Sequence, residues 1–113
     1  MHALGVATIA GNWSKVNDAS AADGVLLRNP NAGAAKLNTA LAAPTSYFEK
    51  SFNADAGKPY RLWLRGRADS NNYANDSVHV QFSGSVNQAG TAVYRIGTAT
   101  STEFNLEACS GCG

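Results

Sequence analysis

In "PYRLWLRGRADSNNYANDSVHVQFSG", residues 59 to 84, apolar and polar side chains alternate twice, on either side of a run of Asn, Asp and Ser. From 60 to 65 Tyr60, Leu62 and Leu64 fall on one side of the alternation, with Trp63 between two Arg residues on the other, and apolar residues again take every second position from 78 to 82. This period of two is typical of a half-buried strand. Asn, Asp and Ser compete for the backbone and favour turns. The stretch therefore predicts two β-strands joined by a polar loop over residues 68–76.

Other parts of the chain are typical of short strands between Gly, Pro, Asn or Asp residues. These are residues 5–11, 24–29, 47–53, 91–97 and 102–108. The Ala- and Leu-rich stretch 31–44 is compatible with a short helix or an irregular strand, and its few turns and Pro44 favour the strand. Strands at this spacing predict an all-β sandwich or barrel.

Length and charge limit the classes of function. The 113 residues are enough for a single domain, 1–113, and the net charge is +1. That balance offers no basic face for nucleic acid and no polybasic patch for a membrane surface. No apolar run approaches the roughly 18 residues of a membrane-spanning helix. We therefore expect neither nucleic acid nor a membrane as a partner.

Four segments resemble a jelly-roll carbohydrate-binding module related to families 6, 35 and 36, of the kind attached to secreted bacterial proteins. They are "YFEKSFNADAGKPYRLWLRGRA", "NNYANDSVHVQFSGSV", "AVYRIGTAT" and "NLEACSGCG". The resemblance extends from about Gly11 to Gly113. It implies a secreted jelly-roll β-sandwich that binds a glycan or polysaccharide without cleaving it.

The chain departs from this family in two places. Relatives carry Glu residues in the first strand that help to hold a structural calcium ion, whereas "HALGVATIAG" contains no carboxylate. We therefore expect no cofactor, although structural calcium is a property of the family. Relatives also continue past "CSGCG" to a last strand. This predicts that the last strand or strands are missing, and that a complementary C-terminal peptide or a second copy of the chain fills the open edge.

The 68–76 loop contains the side chains that sugar recognition requires. A pyranose stacks its C–H groups on an aromatic ring, and its hydroxyls bond to amides, carboxylates or guanidinium groups. The candidate ligand-binding residues are Asn71, Asn72, Tyr73, Asn75 and Asp76, with Arg65 and Arg67 at the base of the loop. The alternative is that the Asn and Asp side chains only satisfy turn backbone and that Tyr73 covers the end of the sandwich.

Trp63 is a further candidate for sugar binding. Its parity places it with Arg61, Arg65, His79 and Gln81, on the face opposite Leu62 and Leu64. An outward Trp between two Arg residues can be a sugar platform or a cation–π stack within the fold, and the stack is favoured.

The sequence does not support catalysis. Glycoside hydrolysis requires two carboxyl groups, one with a raised pKa. Asp69 and Asp76 are the only acids that bracket one loop, and a structural role is favoured for both. His79 has outward parity and no Ser or Cys nucleophile beside it in sequence, which favours an exposed strand histidine over a catalytic base.

The two cysteines, Cys109 and Cys112, form the motif "CSGC" near the C-terminus. They are compatible with half of a zinc site, a redox pair or a local disulfide. Zinc requires four ligands, and a thioredoxin-like pair requires a following helix. A local Cys109–Cys112 disulfide is favoured and agrees with an exported protein.

Overall fold

The computed structural model describes residues 1–30 and 32–106. Within these ranges the regular structure consists of short strands and 3₁₀ turns, without an α-helix. The strands are β1 (Thr8–Ala10), β2 (Ser14–Asn17), β3 (Val25–Arg28), β4 (Tyr47–Glu49), β5 (Ser77–Val80) and β6 (Thr102–Asn105). The 3₁₀ turns are Ala3–Gly5, Ala22–Gly24, Asp69–Asn71 and Tyr73–Asn75. The all-β class is thus confirmed. Cys109 and Cys112 lie outside the described residues.

The strands form three antiparallel sheets of two strands each in the described chain: β1 with β4, β2 with β3, and β5 with β6. The chain divides into two compact units. The first contains residues 1–30 and 45–62, and the described part of the second contains residues 32–44 and 63–106. No helix in the described ranges has the length and apolar character that a membrane span requires.

The first unit holds the β1–β4 and β2–β3 sheets. Ile9 lies opposite Phe48 across β1 and β4, and Val16 lies opposite Leu26 across β2 and β3. Trp13, on the turn between β1 and β2, packs edge-to-face on Phe48 with ring centroids 5.0 Å apart. This arrangement suits the ring quadrupoles, so the aromatic pair contributes more than its buried area alone.

The second unit is organised around β5 and β6, whose faces differ in chemistry. On one face Val78 lies opposite Phe104, and on the other His79 lies opposite Glu103. Because successive side chains of a strand point to opposite faces, this division follows directly from the sequence. The strand predicted over 78–82 is present only as far as Val80, and Phe82 forms an isolated bridge with Arg95; all four residues of β5 are half-buried.

Four other predicted strands are confirmed in shorter form. β1, β3, β4 and β6 fall inside the stretches 5–11, 24–29, 47–53 and 102–108. β2 was not predicted, because in "SKVN" only Val16 is apolar and the segment shows no alternation to detect.

The strand predicted over 60–65 is wrong. This segment has no regular structure, and two of its three predicted inward residues are exposed: Tyr60 is 59% exposed and Leu64 is 41% exposed, whereas Leu62 is half-buried. The Tyr60 hydroxyl instead accepts a hydrogen bond from the backbone N–H of Asp55, 2.9 Å away. Alternation creates a face, but a strand also requires a partner that accepts its backbone hydrogen bonds.

The predictions for 91–97 and 31–44 also require correction. Residues 91–97 form only isolated bridges, Phe82 with Arg95 and Val86 with Ala92. Tyr94 has φ 51°, a left-handed conformation that interrupts an extended strand. Residues 32–44 form neither a helix nor a strand.

Candidate functional site

The 68–76 loop lies in the second unit, between two buried residues. Ala68 is 5% exposed and Asp76 is 2% exposed, whereas residues 69–74 are all exposed. The loop consists of the two consecutive 3₁₀ turns, Asp69–Asn71 and Tyr73–Asn75. Both ends are therefore anchored in the unit, and the middle is presented to solvent.

Local hydrogen bonds shape the loop backbone. The side chain of Asn72 accepts a hydrogen bond from the Ala74 N–H at 2.9 Å and caps the second turn. Ser70 and Asn71 have φ values of 55° and 50°, in the left-handed region. Asn tolerates this region better than most residues, and a Ser there is uncommon. Asn72 therefore has the turn-forming role that the sequence offered as the alternative to ligand binding.

Asp76 forms an ion pair below the loop. Its Oδ1 lies 3.1 Å from Nζ of Lys36 and accepts a second hydrogen bond from the Ser77 hydroxyl at 2.9 Å. Burial by itself would raise the pKa of this carboxyl. The hydrogen bonds from Lys36 and Ser77, together with the charge of Lys36, outweigh burial and hold the pKa of Asp76 below its ordinary value of 3.8. The carboxylate is thus charged at neutral pH and is directed into the unit.

Lys36 also contacts the loop itself. Its Nζ donates a hydrogen bond to the backbone carbonyl of Tyr73 at 2.9 Å. One ammonium group therefore joins the exposed middle of the loop to its buried end. Sequence reasoning missed Lys36, because nothing near position 36 indicates a partner 40 residues away.

Both aromatic candidates of the proposed site are highly exposed. Tyr73 is 70% exposed and Trp63 is 79% exposed. Arg65 and Arg67 are exposed as well. Since 60–65 is not a strand, the predicted sheet face combining Trp63 with Arg61, Arg65, His79 and Gln81 is not formed. Tyr73 belongs to the loop, whereas Trp63 precedes it on a segment without regular structure.

Asn75 differs from the other candidates. Its side-chain nitrogen and oxygen are both buried and have no hydrogen-bond partner among the described residues. A buried amide without partners is costly. The buried Asn75 amide is therefore not available to a ligand at the loop surface. Asn71 and Asn72, in contrast, are exposed.

His79 is held on both sides of its ring. Its Nε2 lies 3.2 Å from the Leu37 carbonyl oxygen and its Nδ1 lies 3.0 Å from the Ser101 hydroxyl. A carbonyl can only accept, so Nε2 carries the hydrogen and, in the neutral ring, Nδ1 accepts from Ser101. The predicted strand position of His79 is confirmed, but the predicted exposure is wrong: the side chain is half-buried, because Leu37 and Ser101 lie against its two ring nitrogens.

No group of three or more His, Cys, Asp or Glu side chains that could hold a metal ion occurs in the part of the chain that the structure describes. Comparison of the chain with protein-family models, with curated proteins and with solved structures gives no match.

Proposed function

We propose that this protein is a non-catalytic carbohydrate-binding module that holds a glycan or polysaccharide at the 68–76 loop. The proposal includes the jelly-roll β-sandwich and the secreted, bacterial origin that the sequence resemblance implies. The observation that carries it is an exposed aromatic ring, Tyr73, on a loop whose backbone is bonded to Lys36, the cation that pairs with the buried Asp76 carboxylate. Aromatic stacking on sugar C–H groups is effective when the ring is already positioned, because less ordering entropy is lost on binding.

The polar residues of the loop supply the hydroxyl contacts in this proposal. Asn71 and Asn72 are on the exposed part of the loop, and Arg65 is exposed near its base. Amide and guanidinium groups replace water on sugar hydroxyls with directional hydrogen bonds. Asp76 and Asn75 do not contact the glycan in this proposal. Asp76 binds Lys36, which in turn bonds the loop backbone, and the buried Asn75 amide packs inside the loop.

The absence of catalysis is part of the same proposal. A glycosidase acid needs a raised pKa so that it carries a proton at neutral pH. The pKa of Asp76 is displaced in the opposite direction. The lowered pKa favours glycan binding over hydrolysis at the 68–76 loop, which Asp69 and Asp76 bracket.

Affinity electrophoresis against a panel of soluble polysaccharides, together with a glycan array, tests the proposal. We expect at least one glycan to retard or retain the protein and to remain uncleaved. Replacing Tyr73 and Asn72 together by Ala should abolish that retention. Retention that survives this double substitution and disappears in Trp63→Ala would move the site to Trp63. A folded protein that binds no glycan would contradict the function.

A structural or assembly role is the second candidate. Every sheet in the described residues has only two strands, so each strand lies at a sheet edge. Unpaired edges can accept a strand from a complementary C-terminal peptide or from a second copy. Light scattering and native mass spectrometry test this role: a complex with a peptide or a dimer supports it, and a monodisperse monomer contradicts it.

The Cys109–Cys112 disulfide remains a prediction and bears on export. Thiol alkylation followed by peptide mass spectrometry, on protein taken from an oxidising compartment, tests it. Protection of both cysteines until reduction supports a local disulfide, and immediate alkylation contradicts it.

A further inference from the structure

Residues 32–44 are held against the 68–76 loop and β5 by two consecutive residues. Lys36 donates through Nζ to the Tyr73 carbonyl and to Asp76, and the carbonyl of Leu37 accepts from His79 Nε2. The segment has no helix or strand of its own. Its position is therefore set by these side-chain bonds and by packing around Ala40, which is 5% exposed.

The Asp76 end of this arrangement is hydrogen-bonded to the chain that follows β6. The backbone carbonyl of Asp76 accepts a hydrogen bond from the Leu106 N–H at 2.7 Å, directly after β6. Its carboxylate, only 3% exposed, is shared between Lys36 and Ser77. A buried carboxylate with a hydrogen-bonded cation is screened far less than a surface pair. Asp76 thus holds the Lys36 ammonium at a defined point below the loop.

The Tyr73 end transmits this position to the exposed ring. The carbonyl that Lys36 binds belongs to the residue that carries the proposed stacking ring. A fixed backbone at Tyr73 restricts the position of its Cβ atom, and so the region that the exposed ring can reach. Within the second unit, this bond joins the 32–44 segment to the middle of the loop.

We infer that Lys36 is a positioning residue that holds the 68–76 loop in its ligand-binding conformation. This inference rests on the proposed function and deepens it, because it assigns the ordering of the loop to a residue that touches no sugar. Preorganised loops bind more tightly because the ordering cost is met before the ligand arrives. The effect of Lys36 on the order of the loop can be measured without any glycan.

The test compares Lys36→Met, Lys36→Arg and the matched control Lys58→Met. Lys58 also pairs with an aspartate, Asp55 at 2.9 Å, but both side chains are 68% exposed and belong to the first unit. Two quantities are measured for each variant: hydrogen exchange of the loop amides, and retention on the glycan that the wild-type protein binds best. The amides that report on the loop are those of Asn71, Asn72, Ala74 and Asn75, each of which donates within the loop.

We expect Lys36→Met to speed exchange of these amides and to weaken glycan retention about tenfold, which corresponds to about 1.4 kcal/mol. Lys36→Arg should restore part of both effects, because it keeps the charge and the donors. Lys58→Met should change neither. If Lys36→Met fails to fold, Asp76→Asn provides the same comparison, since it removes the negative charge that holds the ammonium.

Unchanged loop exchange in folded Lys36→Met would overturn the inference. Faster exchange with unchanged retention would also overturn it, because the ordered loop would then be irrelevant to binding. If the wild-type protein binds no glycan, the proposed function fails. Hydrogen exchange would still decide whether Lys36 orders the loop.

Discussion

A Cβ atom at Gly11 would lie 2.5 Å from the carbonyl oxygen of Thr45 and 2.7 Å from Cα of Ser46. Gly11 occupies the turn between β1 and β2 with φ +65°. The close approach brings this turn beside the chain that enters β4, where the Asn12 N–H donates to the Ser46 hydroxyl at 3.1 Å. Only glycine, which has no Cβ atom, adopts the left-handed backbone readily and also fits this close to the backbone of Thr45 and Ser46.

Gly11→Ala should therefore lower the free energy of unfolding by more than about 2 kcal/mol, from backbone strain and from a clash with backbone atoms that cannot move independently. Gly24→Ala is the matched control. Gly24 also has a positive φ, +69°, but a Cβ atom added there would have no heavy atom within 4 Å. It should cost only about 1 kcal/mol. Urea denaturation followed by circular dichroism measures both, and equal costs would contradict the close approach.

Trp13→Ala should destabilise the first unit by about 1 to 3 kcal/mol, because it removes a partly buried ring and its edge-to-face contact with Phe48. Trp13→Phe should cost less, since it keeps an aromatic edge. The matched control is Trp63→Ala, which removes a ring that is 79% exposed. Thermal unfolding of the three variants measures the difference. A loss in Trp63→Ala as large as that in Trp13→Ala would contradict the assignment.

Stability should decrease in acid because of Asp76. Its native pKa lies below the ordinary 3.8, so the unfolded chain takes up the proton first as the pH falls. The contribution of this group to stability is complete at pH values above the ordinary pKa. It is lost as the pH falls from there through the lowered native pKa. Asp76→Asn should have a lower melting temperature at neutral pH and a weaker dependence on acid. A difference between wild type and variant that stays constant as the pH falls through this window would disprove this origin.

Tyr73→Ala should weaken glycan retention by about 1 to 3 kcal/mol without unfolding the protein, since it removes a large aromatic contact from an exposed position. Tyr60→Ala removes a ring of similar exposure outside the loop and should leave retention unchanged. Affinity electrophoresis with graded polysaccharide concentrations measures both variants. Equal effects of the two substitutions would argue against a site at the loop.

Calcium should not raise the melting temperature. The "HALGVATIAG" stretch lacks the carboxylates with which the carbohydrate-binding modules that the sequence resembles hold the ion. A ligand that binds only the folded state must stabilise it by mass action. Thermal unfolding with calcium and with a chelator measures the effect, and magnesium serves as the control for ionic strength. A rise of several degrees that is specific to calcium would refute the expectation.

Local patterns in the sequence were sufficient for β5 and for the loop before it. The alternation of Val78, His79 and Val80 assigns their faces because a strand turns successive side chains to opposite sides. The Asn, Asp and Ser residues of 68–76 compete for the backbone wherever they occur, so the interruption was visible before any partner was known. The all-β class follows from several such short patterns.

Contacts between distant parts of the chain were decided only by the tertiary structure. The alternation at 60–65 resembles that of β5, yet it forms no strand, because a strand requires backbone partners that its own sequence does not supply. Lys36 and Asp76 are 40 residues apart, and neither position carries a sign of the other. Charges pair through space, so the residue that holds the loop could be identified only once the fold had brought it there.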